Sequence, residues 1–295
     1  MAALSTLALL LALLPQAPAP AAQPAIPPAF QKTLADLARP GDFKDGVLKV
    51  NLGRSDLKVT INGRPVPTSL GFGGWVAFTS GDAGMTVMMG DLVLTEDQVN
   101  PVMSALLDNG LEATALHNHF FWETPRIFYM HVHGHGDISD LAKRVKPAID
   151  LMMTSVTPAP PAPPPTLAFD SAALAQIIGT AGEQAGPVYK ITIGRSDLAV
   201  KEMGAVINAR MGLNTWAAFT GTDDAAVVAG DVAMRGNEVT PVLTAMRKAG
   251  LNIVSLHHHM IGTQPEIYFL HYWGEGKAAT LAAGVKSALN LLGKK

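Results

Sequence analysis

An internal repeat constrains this chain more than any other feature of its sequence. The hexapeptide Leu-Gly-Arg-Ser-Asp-Leu at residues 52–57 returns as Ile-Gly-Arg-Ser-Asp-Leu at 193–198. Trp-Val-Ala-Phe-Thr at 75–79 returns at the same offset as Trp-Ala-Ala-Phe-Thr. From Gly90 onward the offset is one residue shorter, so one residue is lost in a turn. Repetition over half the chain predicts two copies of one domain rather than a short-period solenoid.

The repeat divides the chain into four segments. We predict a signal peptide at residues 1–22, a first repeat domain at 26–154, a proline-rich linker at 155–166 and a second repeat domain at 167–295. Six prolines in the ten residues from 157 to 166 predict a stiff connection between the copies.

The N-terminal segment is typical of a secretory signal. Residues 4–14 are apolar apart from Ser5 and Thr6, and alanine-rich sequence follows Pro15. Such a run is shorter than a membrane span and ends in residues suited to a signal peptidase. No basic residue precedes the run, so an uncleaved N-terminal anchor is the alternative. We expect a periplasmic or secreted protein with no transmembrane span after the signal.

Composition excludes one class of partner and narrows the chemistry. Because 22 basic residues nearly balance 24 acidic ones and form no stripe, a nucleic-acid partner is not expected. The chain has no cysteine. A metal would therefore be bound by nitrogen and oxygen ligands, and the fold has no disulfide. The oligomeric state is left open.

Each copy is predicted to be α+β, a largely antiparallel sheet with helices packed on one face. Leu48, Val50 and Leu52 alternate with polar residues, which is typical of a strand with one buried face. Residues 189–193 repeat the pattern. Asn62-Gly63 predicts a hairpin turn.

One helix in each copy is predicted from its terminal residues. Asn100 and Pro101 have the character of an N-cap and a first helical residue, and Gly110 that of the residue that ends a helix. The second copy repeats this pattern at residues 240–250.

All nine histidines lie in two short windows, residues 117–135 and 257–271. In the first copy four of the five histidines fall on two predicted strands, 111–119 and 127–133. Side chains two residues apart on a strand point to one face, so antiparallel pairing with an even register sum brings the imidazoles together. The six histidines that occur in both copies are the candidate metal ligands: His117, His119, His131, His257, His259 and His271.

A repeated His-x-His with a third histidine is typical of a transition-metal site, because neutral imidazoles converge without a large rearrangement. Zinc, copper, nickel and iron all accept such donors. The alternative is that these are polar residues on a solvated face, or core histidines each satisfied by one hydrogen bond. Glu123 could add a carboxylate, although Thr263 replaces it in the second copy. The spacing from His117 to Glu123 also matches cupin metal sites, but a preceding helix does not fit an all-β barrel.

Other repeated residues are predicted to be structural. Arg54 and Asp56 stand between strands, where an Arg–carboxylate pair stabilises a turn. Trp75 and Trp216 are expected in core or inter-domain packing. No nucleophile with a neighbouring base is apparent, so no catalytic residue is predicted.

Several segments together resemble the LppY/LpqO-like family of exported bacterial proteins. They are Gly-Asp at 90–91, Val-Asn-Pro-Val at 99–102, Ala-Leu-His-Asn-His at 115–119 and the histidine-rich stretch at 125–136. The likeness covers both halves, about residues 30–292. The family is built around a domain of unknown function (number 1259), here in two tandem copies. The resemblance implies export and a duplicated fold but no activity. Mycobacterial members resemble lipoproteins, and this chain lacks the cysteine for lipid attachment.

The leading functional prediction is an exported two-domain protein that binds a transition metal at a duplicated His-x-His...His site. One alternative is a periplasmic metal- or histidine-dependent enzyme acting on a small molecule. Another is a module that binds a ligand or partner without metal. The distance between the two histidine clusters decides whether they form one composite site or two.

Overall fold

The computed structural model describes residues 25–154, 156 and 167–294. The predicted signal peptide, and the predicted linker apart from Val156, lie outside the described residues. Within the described residues, no helix is long and apolar enough to cross a membrane.

The two copies have closely similar element orders. The first copy contains α1 (Pro28–Leu37), β1 (Asp42–Lys44), β2 (Val47–Gly53), β3 (Val59–Ile61), β4 (Arg64–Val66), β5 (Gly73–Ser80), β6 (Thr86–Thr95), α2 (Glu96–Asp108), β7 (Glu112–His117), β8 (Glu123–Thr124), β9 (Ile127–Gly136) and α3 (Ile138–Met153). The second contains α4 (Ser171–Ile178), β10 (Glu183–Ala185), β11 (Val188–Gly194), β12 (Lys201–Glu202), β13 (Ala205–Val206), β14 (Asn214–Gly221), β15 (Ala226–Arg235), α5 (Gly236–Lys248), β16 (Asn252–His257), β17 (Ile267–Gly276) and α6 (Ala278–Leu289).

Each copy is built on one six-stranded antiparallel sheet. The strand order is β1-β2-β5-β6-β9-β7 in the first and β10-β11-β14-β15-β17-β16 in the second. The helices of each copy pack on one face of its own sheet; in the first copy Leu48, Val50 and Leu52 meet residues of α2 and α3 there. The predicted α+β class with helices on one face is confirmed.

Strands β2 and β11 show the predicted alternation at residues 48–52 and 189–193, but other parts of the opposite face of each sheet are also covered. Val47, Ala77 and Met89 of the first sheet lie in one apolar cluster with residues 198–213 of the second copy. Reciprocally, Leu57 and neighbouring residues of the first copy pack against the second sheet. The two sheets therefore face each other, with segments exchanged between the copies.

The exchanged segments are short hairpins. Strands β3 and β4 are joined at Asn62-Gly63, where both residues have positive φ, so the predicted turn is confirmed. Asn62 Nδ2 donates to Glu275 of the second copy at 3.0 Å. In return, the amide of Asp82 in the first copy donates at 2.7 Å to the carbonyl of Met203, which lies in the β12–β13 turn.

The predicted helix start at Asn100-Pro101 is wrong. Helix α2 begins five residues earlier, at Glu96, because Thr95 forms a capping box, with its backbone N–H donating to Gln98 Oε1 at 3.1 Å. Pro101 then lies inside the helix and removes one helical hydrogen bond. The predicted end is confirmed, since Gly110 has φ +66° directly after the C-cap residue.

Candidate metal centre

The six candidate histidines lie at corresponding places in the two copies. His117 and His257 are the last residues of β7 and β16, while His131 and His271 lie within β9 and β17. Strand β7 ends earlier than predicted, so His119 and its counterpart His259 lie in the loops that follow β7 and β16. All six side chains are buried.

The pairing near the histidines has the register that was expected. His117 is opposite Tyr129 and Ala115 is opposite His131 in the β7–β9 ladder, so the register sum is even. His119, although outside the strand, is held near its neighbours by stacking on Tyr129, with ring centroids 3.2 Å apart. Its counterpart His259 stacks in the same way on Phe269 of β17, with ring centroids 3.4 Å apart.

The histidines of the two copies form one composite cluster. His117 stacks on His257 with ring centroids 3.8 Å apart. The two other close contacts, His119 with His271 at 3.6 Å and His131 with His259 at 3.9 Å, also join one copy to the other. An approximate two-fold axis passes between His117 and His257. It relates the contact of His119 with His271 to the equivalent contact of His259 with His131. The question of one site or two is thereby answered in favour of one.

Three overlapping groups within the cluster have the geometry to hold an ion, and in each the ligand atoms lie within 4.8 Å of one another. They are His117 with His131 and His257, His117 with His119 and His271, and Asp231 with His257 and His259. Two of the three groups draw on both copies. A tetrahedral ion with bonds of about 2.1 Å needs nitrogens roughly 3.4 Å apart, which is within reach of small rotations of the imidazole rings.

Backbone carbonyl groups orient three of the imidazoles. Nδ1 of His119 lies 3.1 Å from the carbonyl oxygen of Gly71. The corresponding distances are 3.3 Å from His131 to Gly90 and 3.1 Å from His271 to Gly230. Because a carbonyl oxygen only accepts, Nδ1 carries the proton and the lone pair is on Nε2. Outer-shell hydrogen bonds of this kind fix the ring and the tautomer of histidines that bind metals.

Several inward-facing nitrogens have no hydrogen-bond partner among the described residues. They include both ring nitrogens of His117 and His257, and Nε2 of His119 and His131. Buried polar atoms are almost always paired, so this concentration of unpaired nitrogens is unusual for a protein interior.

All six imidazoles are held in the neutral form. Burial lowers the pKa of each, and in five of them electrostatic repulsion from neighbouring histidines adds to the effect. The pKa of His131 falls to about 3. Neutral imidazole is the form that donates a lone pair to a metal.

The remaining histidines lie outside these groups. His133 is buried, but its Nε2 lies 2.8 Å from Glu202 of the second copy. Burial opposes a charge on His133, yet hydrogen bonding to Glu202 and the charges of Glu202 and Glu112 outweigh it and raise its pKa. His135 is exposed, and His258 lies beside Tyr268.

Glu123, considered as a further ligand, has a structural role instead. Its Oε1 accepts from the backbone N–H of Ile127 at 3.1 Å and from Asn118, which closes the loop before β9. Burial raises its pKa to about 7. It belongs to none of the three groups.

Arg54 is structural as predicted: its guanidinium is buried and pairs with Asp56 and Gln98. The second copy repeats this arrangement with Arg195, Asp197 and Glu238.

A cavity of about 310 Å³ adjoins the cluster, and its polar residues were missed from sequence. His119, His259 and His271 form part of its wall. The rest includes three pairs of equivalent residues from the two copies: Lys49 and Lys190, Trp75 and Trp216, and Asp91 and Asp231. Trp75 and Trp216, expected only in packing, therefore also face this cavity. The sequence did contain one signal for these polar residues, because they recur at equivalent positions of the repeat. Lys49 of β2 and Lys190 of β11 are one example.

The charged groups of the cavity are strongly perturbed. The ammonium of Lys49 lies over the ring of Trp75, 4.1 Å from its centroid, and Lys190 lies over Trp216 at 4.3 Å. Burial lowers the pKa of Lys49 to about 8, with repulsion from Lys190 contributing, and burial also lowers that of Lys190. Burial raises the pKa of Asp91 to about 7, and burial together with repulsion from Asp91 raises that of Asp231 to about 8.

Fold and site together define a duplicated α+β protein with a histidine cluster shared between its copies. The chain belongs to the family described as Domain of Unknown Function (DUF1259), whose model matches residues 32–151 and again 172–291. No curated protein matches the chain.

Solved structures that align with the chain are distant. EtuB from Clostridium kluyveri is 10% identical, with 85% of this chain and 90% of that chain covered and a TM-score of 0.20. The trimeric microcompartment shell protein PduB is 14% identical, with 83% and 88% covered and a TM-score of 0.19. Likenesses at this level carry no argument about fold or function.

Proposed function

We propose that this protein binds a divalent transition metal in the composite histidine cluster. The proposed ligands are drawn from His117, His119, His131, His257, His259 and His271, with Asp231 as an added carboxylate. The observation that carries the proposal is the set of buried imidazole nitrogens without a hydrogen-bond partner, together with the backbone carbonyls that orient His119 and His131 within this set.

The donor set restricts the choice of metal without fixing it. Imidazole nitrogen suits zinc, copper, nickel and iron, whereas magnesium and calcium prefer oxygen ligands. The neutral state of the cluster at physiological pH favours a dication, because no proton has to be displaced from most of the ligands.

The test is metal analysis of protein purified without a histidine tag. We expect at least one transition-metal ion per chain after dialysis. Between them His117 and His257 belong to all three groups, so the His117→Ala/His257→Ala double variant is expected to lose the metal. The matched control is His135→Ala/His258→Ala, which also removes two histidines but leaves the cluster intact and should retain it.

Failure to bind zinc, copper, nickel or iron on titration of the stripped protein would overturn the proposal. Equal metal content in the two double variants would show that the ligand assignment is wrong. Circular dichroism establishes that each variant is folded before its metal content is compared.

A second candidate function is catalysis on a small molecule. It is favoured by one observation: three cluster histidines also line the adjoining cavity, so a bound ion would face a space where a substrate fits. Turnover that disappears on metal removal and returns on reloading would support an enzyme. A ligand-binding module without metal is the remaining alternative, supported by ligand binding that does not depend on metal.

We further propose that the protein is exported to the periplasm or secreted, as the resemblance to LppY/LpqO-like proteins and the apolar N-terminus suggest. Cell fractionation, with the mass of the mature chain, tests this proposal. Loss of about the first 22 residues is expected. A full-length chain in the cytoplasm would contradict it.

A further inference from the structure

The cavity beside the histidine cluster has room for an organic molecule in addition to an ion. At about 310 Å³ it lies at the small end of ligand pockets in proteins, which start near 300 Å³. Its walls combine polar and apolar surface in similar amounts, with Asn51, Ser69 and Asn214 beside glycines and two tryptophans. These residues suit a small, hydrophilic ligand.

Two ammonium groups face this cavity without a direct ion pair, although Asp91 and Asp231 attract them from the same wall. Within the described residues, Lys49 and Lys190 have no salt bridge and no hydrogen bond, and each contacts the face of a tryptophan instead. An ammonium group has three donors, and a cation–π contact satisfies none of them. Two such groups close enough to repel each other favour an anionic partner.

One carboxyl group in the wall is also incompletely paired. Asp91 Oδ1 is buried and has no hydrogen-bond partner among the described residues. Its counterpart Asp231 accepts at Oδ1 from the amide of Leu270 at 3.0 Å. A buried carboxyl oxygen without a donor can accept a hydrogen bond from a hydroxyl group of a ligand.

The same aspartates limit the charge of the ligand. Two acidic side chains in the wall repel a compact, multiply charged ion such as phosphate. A singly charged carboxylate balances the lysines at less electrostatic cost, and hydroxyl groups on the same molecule can pair with Asp91.

We propose that this cavity binds a small hydroxylated organic acid, with its carboxylate held by Lys49 and Lys190 and a hydroxyl group hydrogen-bonded to Asp91. The inference goes beyond the metal site, because none of these three residues is a proposed metal ligand. The acid would lie against His119, His259 and His271, next to the ion that the cluster holds.

The experiment is calorimetric titration of the full chain at neutral pH and low salt, in metal-stripped and zinc-loaded forms. The probes are D-gluconate and D-glucuronate, with D-glucose as the uncharged comparison and inorganic phosphate as the anion without hydroxylated carbon. We expect saturable binding of at least one acid and no binding of glucose. Lys49→Gln and Lys190→Gln should each weaken binding tenfold or more, whereas Lys143→Gln, on an exposed part of α3, should not.

Three outcomes would overturn the proposal: no binding of either acid, equal binding of phosphate, or acid binding unchanged in both lysine variants. A second readout guards against misfolding. Zinc content is measured in the same variants and should not change, so failure of the acid site is distinguishable from failure of the metal site.

Discussion

The metal-free protein is expected to lose stability steeply as the pH falls from 6.5 towards 5. Each of the six cluster histidines has a folded-state pKa below its usual value of 6.5. In that pH range the unfolded chain therefore binds protons that the folded chain refuses. When the unfolded state binds more protons than the folded state, lowering the pH lowers the free energy of unfolding.

Three carboxyl groups act in the opposite direction. The pKa values of Asp91, Asp231 and Glu123 are raised to about 7, 8 and 7, so the folded state holds their protons where the unfolded chain has released them. Between about pH 4.5 and 6.5 six groups favour unfolding on acidification and three oppose it. Each net proton changes the free energy of unfolding by about 1.4 kcal/mol per pH unit. A net difference of three bound protons therefore changes it by about 4 kcal/mol per pH unit. A domain is typically stable by about 5–15 kcal/mol, so two pH units at this slope, about 8 kcal/mol, remove a large part of that stability.

Urea unfolding in the presence of a chelator, repeated at half-unit steps from pH 7.5 to 5, measures this slope. Replacing His131 and His271 by Gln removes two of the six groups and should flatten it, whereas replacing the exposed His135 should leave it unchanged. Stability that is constant, or increases, between pH 6.5 and 5 would refute the inference that the cluster is buried and neutral.

Three further predictions concern the same structure. Glu238→Ala removes the buried partner of Arg195 and should cost about 3 kcal/mol of unfolding free energy in urea titrations. Gly90→Ala should cost about 2 kcal/mol and weaken metal binding, because a Cβ there would come within 2.7 Å of Val132 and displace the carbonyl that orients His131. Zinc at a thousand times its dissociation constant should raise the free energy of unfolding of the wild-type chain by about 4 kcal/mol.

Matched variants control these measurements. Glu238→Gln reproduces the first copy, where Gln98 pairs with Arg54, and should cost less than the alanine variant. Gly53→Ala, where an added Cβ meets nothing within 4 Å, should cost little and leave metal binding intact. Equal costs within either pair would contradict the assigned contacts, and zinc that leaves the unfolding curve unchanged would contradict a folded-state metal site.

The sequence allowed the cluster to be located because its signals are local and repeated. His-x-His and the third histidine recur in both copies, and strand periodicity places His117 and His131 on one face. The even register could be stated in advance as a condition, since it depends only on which residues of one hairpin oppose each other. The duplicated α+β class followed in the same way from alternation and helix-ending glycines within each copy.

What escaped prediction depends on contacts between the copies. In the sequence, Lys49 has the pattern of a solvated position on a strand. It is enclosed only because residues of the second copy pack against its face of the first sheet. Asp91 is likewise one polar residue in an apolar strand until β9 and the other copy enclose it. The misplaced start of α2 has a local cause, because the proline at 101 outweighed the Thr95–Gln98 capping box as a signal.

The duplication itself explains why the site has this form. A single copy would carry three histidines on a sheet face with apolar neighbours, open to water and with half the histidine donors of the cluster. Packing two such faces about an approximate two-fold axis excludes water, doubles the donors and places His117 against His257 at the centre. The same packing brings Lys49 near Lys190 and Asp91 near Asp231. Neither pair can form within a single copy. The cavity and the cluster are therefore two consequences of one interface, and substitutions that separate the sheets should disable both.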